Sequence, residues 1–189
     1  MDILINGTDI EFQIEQEKTV GEILGSLEAE CEKSGMTITG IRADGETVPP
    51  ASLDEFFTRS PESVARIELD TISGAEIRAS LRDIGERFTA VVPQLRDIPV
   101  QLQTGKDLQV METIHGFSLS LQNFYRLLPL LSIAGIDGAV LTELPGELSP
   151  LLSDLLDGLQ KKDTVLVGDI SEYELAPRIE RMGAALSAV

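Results

Sequence analysis

Hydrophobic and polar residues alternate in two short runs at the start of the chain, and this alternation predicts two β-strands. The apolar positions that share a face in each run are Met1, Ile3 and Ile5, then Ile10, Phe12 and Ile14. Asn6 and Gly7 lie between the runs and predict a hairpin turn, because both residue types accept a positive φ at low cost.

The period then changes from two residues to the period of a helix. The apolar positions on the helical face are Val20, Ile23, Leu24, Leu27 and Cys31. Thr19 and Glu22 have the spacing of a capping box, and Gly35 stands where a left-handed residue ends a helix. An amphipathic helix is therefore predicted over residues 19–34.

Strand patterns return after this helix. Asp44 and Gly45 predict a second tight turn, and Ser52 and Glu55 repeat the capping-box spacing ahead of a short helix. The elements predicted in this stretch are a strand pair over 36–48, a short helix over 53–59 and a last strand over 64–70.

The succession of elements over residues 1–72 resembles the ubiquitin-like β-grasp family. Residues 40–48, 53–56 and 64–69 carry the resemblance, because a turn, a short helix and a closing strand follow one another there as in that family. Modifiers and sulfur carriers of the family end in a free Gly-Gly tail, whereas this chain continues past Leu69. The resemblance therefore implies a docking or scaffolding module, since the single Cys also excludes the iron–sulfur branch.

The second half of the chain is dominated by helical periodicity. Apolar residues spaced 4, 3, 4 and 3 apart predict its first helix, and we call them the 77–91 stripe: Ile77, Leu81, Ile84, Phe88 and Val91. Pro93 and Pro99 are expected to bracket the end of this helix. Such a stripe packs one helix against another, either inside the chain or in a homodimer, so it is both a core candidate and an interface candidate.

Three further helices are predicted. The second covers 106–131, and its expected buried stripe is Leu108, Met111, Ile114 or His115, Leu121, Phe124 and Leu128. A loop is expected at Gly135, Gly138, Pro145 and Gly146, after which Ser149 and Pro150 predict the start of a helix that is apolar at Leu151, Leu152, Leu155, Leu156 and Leu159. The last helix covers 164–186, with a kink at Pro177.

Together these patterns predict an α+β fold with two domains. Residues 1–73 form the ubiquitin-like β-grasp domain, and residues 74–189 form an all-α bundle of about four helices.

Charge narrows the possible partners. The 189 residues include 32 acidic and 15 basic side chains, a net charge of −17. Nucleic acids and anionic membranes both require a basic surface, so neither is an expected partner. Residues 1–73 carry 16 acidic and five basic residues. This field favours attraction of a basic protein partner, although solubility alone also explains it.

Few residues offer chemistry. His115 has no partner at catalytic spacing and is expected to be part-buried in a helix, and Cys31 is expected to be a buried thiol between carboxylates. Asp169, Glu172 and Glu174 are weak metal candidates, because carboxylates three residues apart share a helical face. No catalytic motif and no cofactor motif is present, so no cofactor is expected.

The sequence therefore predicts a non-enzymatic, acidic, cytoplasmic adaptor that works through protein–protein contacts. No targeting or membrane-spanning segment is visible. Two alternatives remain open at this point. One is a small acidic chaperone of secretion or flagellar export, which the chain resembles in bulk composition, and the other is a metal-dependent enzyme that uses the three carboxylates near the C-terminus.

Overall fold

The computed structural model describes residues 1–13, 17–137 and 139–189, and it confirms the α+β class, with a five-stranded sheet followed by about four helices. The backbone divides into two units, Met1–Gly74 and Ala75–Val189, which we call the N-terminal and the C-terminal unit. No helix in the described ranges combines the length and the hydrophobicity needed to cross a membrane.

The N-terminal unit is built on one mixed sheet with the strand order β2-β1-β5-β3-β4. Its strands are β1 (Asp2–Ile5), β2 (Thr8–Ile10), β3 (Met36–Ala43), β4 (Glu46–Thr47) and β5 (Arg66–Ser73). The first strand pairs parallel to β5, whereas the other pairs are antiparallel. The two predicted turns are present, because Asn6 and Asp44 both have φ of 50° and each precedes a glycine with positive φ.

The second strand ends earlier than its alternation predicts. Its last residue is Ile10, and Phe12 follows in irregular backbone as a partly buried residue of the core. Ile14, which the same pattern placed on the strand, lies outside the described residues.

Helix α1 (Val20–Lys33) confirms the predicted amphipathic helix and packs on one face of the sheet. The Thr19 hydroxyl accepts a hydrogen bond from the Glu22 N–H at 3.2 Å, which is half of the expected capping box. Most of the buried residues of this unit form one core: Ile3, Val20, Ile23, Leu24, Leu27, Phe56, Val64, Ile67 and Leu69.

The short helix α2 (Leu53–Phe57) differs at its start from the capping box expected at Ser52 and Glu55. Residues Pro50–Ser52 form a 3₁₀ turn that runs directly into the helix. Ser52 has φ −107° and ψ 1° instead of the extended backbone that a capping residue needs, and its side chain caps nothing. That part of the prediction is wrong.

The C-terminal unit is helical. Its helices are α3 (Gly74–Gln103), α4 (Asp107–Leu127), α5 (Ala139–Lys161), α6 (Thr164–Asp169) and α7 (Ala176–Ser187). A 3₁₀ turn, Leu128–Leu130, follows α4, and a π-helical stretch, Ile170–Leu175, joins α6 to α7.

Helix α3 continues through Pro93 and Pro99, so the expectation that these prolines end it is wrong. The apolar face extends beyond the 77–91 stripe through Val92, Leu95 and Ile98, which are all buried. Each internal proline costs about 3 kcal/mol in a helix. Burial of three further apolar side chains contributes about 1.5–3 kcal/mol each, which is enough to offset the cost of about 6 kcal/mol for the two prolines.

Helix α4 confirms its predicted buried stripe at Leu121 and Phe124 but departs from it in the first half of the helix. The buried positions are Val110, Thr113, Phe117, Ser120, Leu121 and Phe124. Leu108 and Met111, which were expected in the core, are exposed. Two polar residues, Thr113 and Ser120, lie on the buried face. Their hydroxyls bond to Gln94 and to the Gly116 carbonyl, which allows their burial.

Helix α5 begins before the position expected from Ser149 and Pro150. It starts at Ala139 and passes through Gly146, so the second part of the predicted loop is helical, while Gly138 lies outside the described residues. Leu141, Leu144 and Leu148 are buried, whereas Pro150 is exposed on the opposite side. Burial of the apolar face therefore determines where this helix forms, and Pro150 is tolerated because it faces water.

The last helical run changes its hydrogen-bond pattern upstream of Pro177, where the kink was predicted. In Ile170–Leu175, the Ala176 N–H donates to the Ser171 carbonyl five residues earlier, which is the pattern of a π-helix. Pro177 follows in the first turn of α7. A proline costs less there than in a helix interior, because fewer backbone hydrogen bonds are lost with its missing N–H. The irregularity thus precedes the proline, and the backbone stays helical from residue 164 to residue 187.

An aromatic cluster and a close helix crossing hold the C-terminal unit together. The Phe88 ring lies 6.3 Å from the rings of both Phe117 and Phe124, so α3 and α4 meet through aromatic contacts. At the crossing of α3 and α7, Gly85 and Gly183 face one another, and a Cβ atom on either would lie 3.1 Å from the carbonyl oxygen of the other.

Candidate interaction surfaces

The 77–91 stripe lies in the interior. Ile77, Leu81, Ile84 and Phe88 are at most 4% exposed, and Val91 is half-buried. Val92, one position later, takes the buried place that the spacing assigned to Val91. The burial favours packing within the chain, so the stripe is not a free surface for a homodimer.

The three metal candidates do not converge. The Glu174 carboxylate bonds to the Arg178 guanidinium at 2.7 Å, and the carboxylate of Glu172 raises the pKa of Tyr173, with Asp169 making the smallest contribution. Among the residues that the structure describes, no three His, Cys, Asp or Glu side chains are grouped as metal ligands. The structure therefore does not bring these three weak candidates together as metal ligands.

Cys31 and His115 lie in contrasting environments. Cys31 is buried on the sheet-facing side of α1; burial, followed by the carboxylates of Glu28 and Glu30, raises the pKa of its thiol. A raised pKa disfavours the reactive thiolate, so this residue has the inert character that the sequence predicted. His115 is exposed on α4, in contrast to the part-buried position expected for it.

The cations of the N-terminal unit are largely neutralised by internal ion pairs. Arg42 spans two residues of β5, with its Nε 3.2 Å from Glu68 and a two-pronged contact to Asp70 at 3.1 and 3.2 Å. Arg66 also pairs with Glu68, at 3.0 Å. On the helices, Lys33 pairs with Glu30 and Arg59 with Glu55.

Many carboxylates of the same unit have no such partner. Among the described residues, these exposed acidic side chains form no ion pair: Asp2, Asp9, Glu11, Glu32, Glu46, Asp54 and Glu62. Four of the five basic residues of the unit are already paired, so little positive charge remains to compensate these groups. The unit therefore presents a surface potential of one sign, which extends about 8 Å into physiological saline.

The C-terminal unit has an apolar groove between α4 and α5. Its first cavity, about 260 Å³ in volume, is lined entirely by uncharged residues: Ile114, Ser118, Leu121, Gln122, Tyr125, Leu152, Leu155, Leu156 and Leu159. Burial raises the pKa of Tyr125, whose ring lies at one end of this cavity. We call the whole feature the α4–α5 groove.

A second cavity of about 490 Å³ continues the groove and shares Leu159 with the first. Leu102, Val110, Met111 and Val167 supply apolar contacts, while the charged groups lie near the end of α5. The described part of the chain exposes several large apolar side chains beside this groove or along the same helices: Leu108, Met111, Leu119 and Leu156. Exposed apolar side chains that adjoin a concave surface are typical of an interaction site.

The sequence shows the apolar residues of this groove but assigns them to the core. The spacing of the leucines over residues 151–159 predicts a core face. In the structure, Leu156 is 56% exposed, and Leu152 and Leu159 are only half-buried. On α4 the polar residues Thr113 and Ser120 occupy the buried face, which displaces Met111 and Leu108 outward. The sequence did contain a signal for this groove, because α4 and α5 carry more apolar positions than one buried face of a helix can hold.

Comparison with known proteins gives relatives but no activity. Residues 1–73 match the model described as TP0873 N-terminal domain, and residues 80–185 match a domain of unknown function, DUF8042. An uncharacterized protein of Treponema pallidum (strain Nichols) is 37% identical over 183 residues, which cover 94% of this chain and 92% of the relative. No solved structure matches the chain.

Proposed function

We propose that this chain, which belongs to the family defined by the DUF8042 domain and the Treponema pallidum relative, is a non-enzymatic adaptor that binds a basic protein partner through its N-terminal unit. The observation that carries this proposal is the excess of unpaired carboxylates on a unit whose cations are mostly neutralised internally. Solubility requires charge of either sign, whereas a one-sign surface also steers an oppositely charged partner into contact.

The architecture of the N-terminal unit supports a docking role. Two hairpin turns, a helix, a short helix and a closing strand follow one another, and the closing strand β5 lies between β1 and β3. This arrangement supports the proposal of a ubiquitin-like β-grasp fold. After β5 the chain continues into α3, so the end of the strand is not a free tail for conjugation.

Cytoplasmic residence and the lack of an activity belong to the same proposal. Cys31 is a free, buried thiol, which suits a reducing compartment. The described acidic side chains of the N-terminal unit form ion pairs, accept hydrogen bonds as Glu28 does from Thr37 and Ile38, or lie exposed, and an adaptor needs no further chemistry.

A photo-crosslinking experiment tests the proposed partner. A benzoylphenylalanine side chain at Ala51, an exposed position close to Asp54 and Glu55, should form adducts in cells with a folded basic protein. The same group at Gln103, exposed on α3, is the matched control and should not form that adduct. The purified pair should then bind about tenfold more weakly when salt rises from about 50 to about 200 mM, since screening weakens attraction between charged surfaces.

A variant with fewer charges separates this function from the alternatives. The variant that combines Glu46→Gln, Asp54→Asn and Glu62→Gln should have a lower association rate with the captured protein, while its dissociation rate should stay nearly unchanged. Adducts formed only with unfolded polypeptides would favour an export chaperone instead. An affinity that changes neither with salt nor with the three substitutions would contradict the proposed acidic docking surface.

A further inference from the structure

The α4–α5 groove has the electrostatic character of a surface that contacts its own copy. Every residue that lines its first cavity is uncharged, although the chain as a whole carries a net charge of −17. The charged residues of the second cavity are Asp107, Lys162 and Asp163, so both signs are present where charge does occur. An acidic protein that self-associates must avoid bringing like charges together, and this groove meets that condition.

The rims of the groove carry no carboxylate at the flanking positions. At 100° per residue, the positions that flank the lining residues are Ser149, Ser153 and Gln160 on α5, and His115, Leu119 and Arg126 on α4. All six are exposed. A basic partner would be expected to meet carboxylates along these edges. Their absence from the six positions argues that a strongly cationic protein is not the occupant.

We infer that the α4–α5 groove binds the same groove of a second copy, which gives a twofold-symmetric dimer. In such an isologous contact, each residue of the groove is used once by each copy, so one exposed leucine contributes twice. Leu156 of one copy would enter the partner's groove, and exposed Met111 on the facing helix would cover it.

The size of the surface suits a small dimer interface. Its lining positions cover 107–125 on α4 and 152–162 in and just after α5, about 28 Å and about 16 Å at about 1.5 Å per residue. Two helical segments about 10 Å wide give a face of about 450 Å² in projection. The accessible area of such a ridged face exceeds its projection, which places the contact at the lower end of specific interfaces, below the ~800 Å² per partner of the standard size.

Light scattering on the full chain tests this inference. We expect a molar mass of twice 20.5 kDa at about 100 µM, well above a Kd of about 1 µM. Leu156→Glu should give the monomer mass at the same concentration, because each copy would then have to bury a carboxylate in the uncharged groove of its partner. Val100→Glu is the matched control, since Val100 is also 56% exposed but lies outside the groove, and it should remain a dimer.

The remaining outcomes overturn the proposal. A wild-type chain that is monomeric at this concentration would exclude a second copy as the occupant, and a groove occupied by a helix of another protein would then be the explanation. A Leu156→Glu chain that stays dimeric would place the contact elsewhere. If circular dichroism shows that Leu156→Glu is unfolded, Met111→Glu replaces it, because Met111 is 53% exposed and its loss removes no core contact.

Discussion

Gly183 is required for its small size, because two helices approach each other at this residue. A Cβ atom on Gly183 would lie 2.7 Å from the Thr89 hydroxyl and 3.1 Å from the Gly85 carbonyl oxygen. The Thr89 hydroxyl already donates to that carbonyl at 2.9 Å, so it has no free direction in which to move. The crossing of α3 and α7 therefore depends on a glycine at this site in α7.

Gly183→Ala should destabilise the protein by about 1–3 kcal/mol, the usual cost of inserting a methyl group into a packed site. The alanine gains up to about 1 kcal/mol of helix propensity, but the contact with backbone atoms outweighs that gain. Urea denaturation measures the difference. Gly116→Ala is the control, because a Cβ there meets nothing within 4 Å and should stabilise the chain. Equal effects of the two substitutions would contradict the close crossing.

At the scale of the element, Pro93 shows how apolar packing overrides a local signal. Pro93 is exposed in the middle of α3, and it has no N–H to donate to the Thr89 carbonyl four residues earlier. The helix continues because Val92 and Leu95, on either side of this position, are buried. The proline thus remains as a local cost, which the burial of these neighbours offsets.

Pro93→Ala should raise the free energy of unfolding by about 1–3 kcal/mol, because it restores a helical hydrogen bond at an exposed site. Pro99→Ala should gain less. Pro99 is half-buried, and its ring packs close to the backbone of Gly168, so the substitution also removes a contact. Denaturant titration of both variants checks the order, and a Pro93→Ala chain that is no more stable than wild type would refute the argument.

The contrast between local signals and distant packing contacts also explains which elements can be predicted from the sequence. The N-terminal sheet and α1 follow from signals that act within a few residues: the turns at Asn6 and Asp44, and the cap at Thr19. The C-terminal helices exist where the periodicity indicates, but their ends and buried faces depend on distant contacts. Ser120 tolerates burial because its hydroxyl donates to the Gly116 carbonyl, and hydrophobicity alone does not reveal this.

The acidic surface of the N-terminal unit and the α4–α5 groove also differ in how far they can be predicted from the sequence. The acidic character of residues 1–73 is a property of composition and could be predicted, although which carboxylates stay unpaired depends on the register of Arg42 against β5. The α4–α5 groove could not be predicted, because the same leucines satisfy a core pattern. Only the arrangement of the helices leaves Leu156 exposed.

At the scale of the whole molecule, the two proposals combine into a bivalent adaptor. A dimer formed through the C-terminal units would carry two acidic N-terminal units. Two linked sites can hold a multivalent partner far more tightly than one site does, provided that both are reached at once. The charge that serves such binding also has a cost inside each N-terminal unit, because its unpaired carboxylates repel one another.

Salt should therefore stabilise the N-terminal unit more than the C-terminal one. Residues 1–73 hold 16 acidic and five basic side chains, whereas residues 74–189 hold 16 and ten. Raising the salt from about 20 to about 300 mM shortens the screening length several-fold, and we expect a gain of about 1 kcal/mol in the N-terminal unit.

Hydrogen exchange resolves the two units within the intact chain. Protection of the β5 amides around Ile67 should rise with salt, while protection of the α4 amides around Phe117 should change little. The chain in which Glu46, Asp54 and Glu62 are neutralised is the control, and its N-terminal unit should respond less to salt because fewer like charges remain. Equal responses in both units would show that the excess carboxylates do not strain the N-terminal fold.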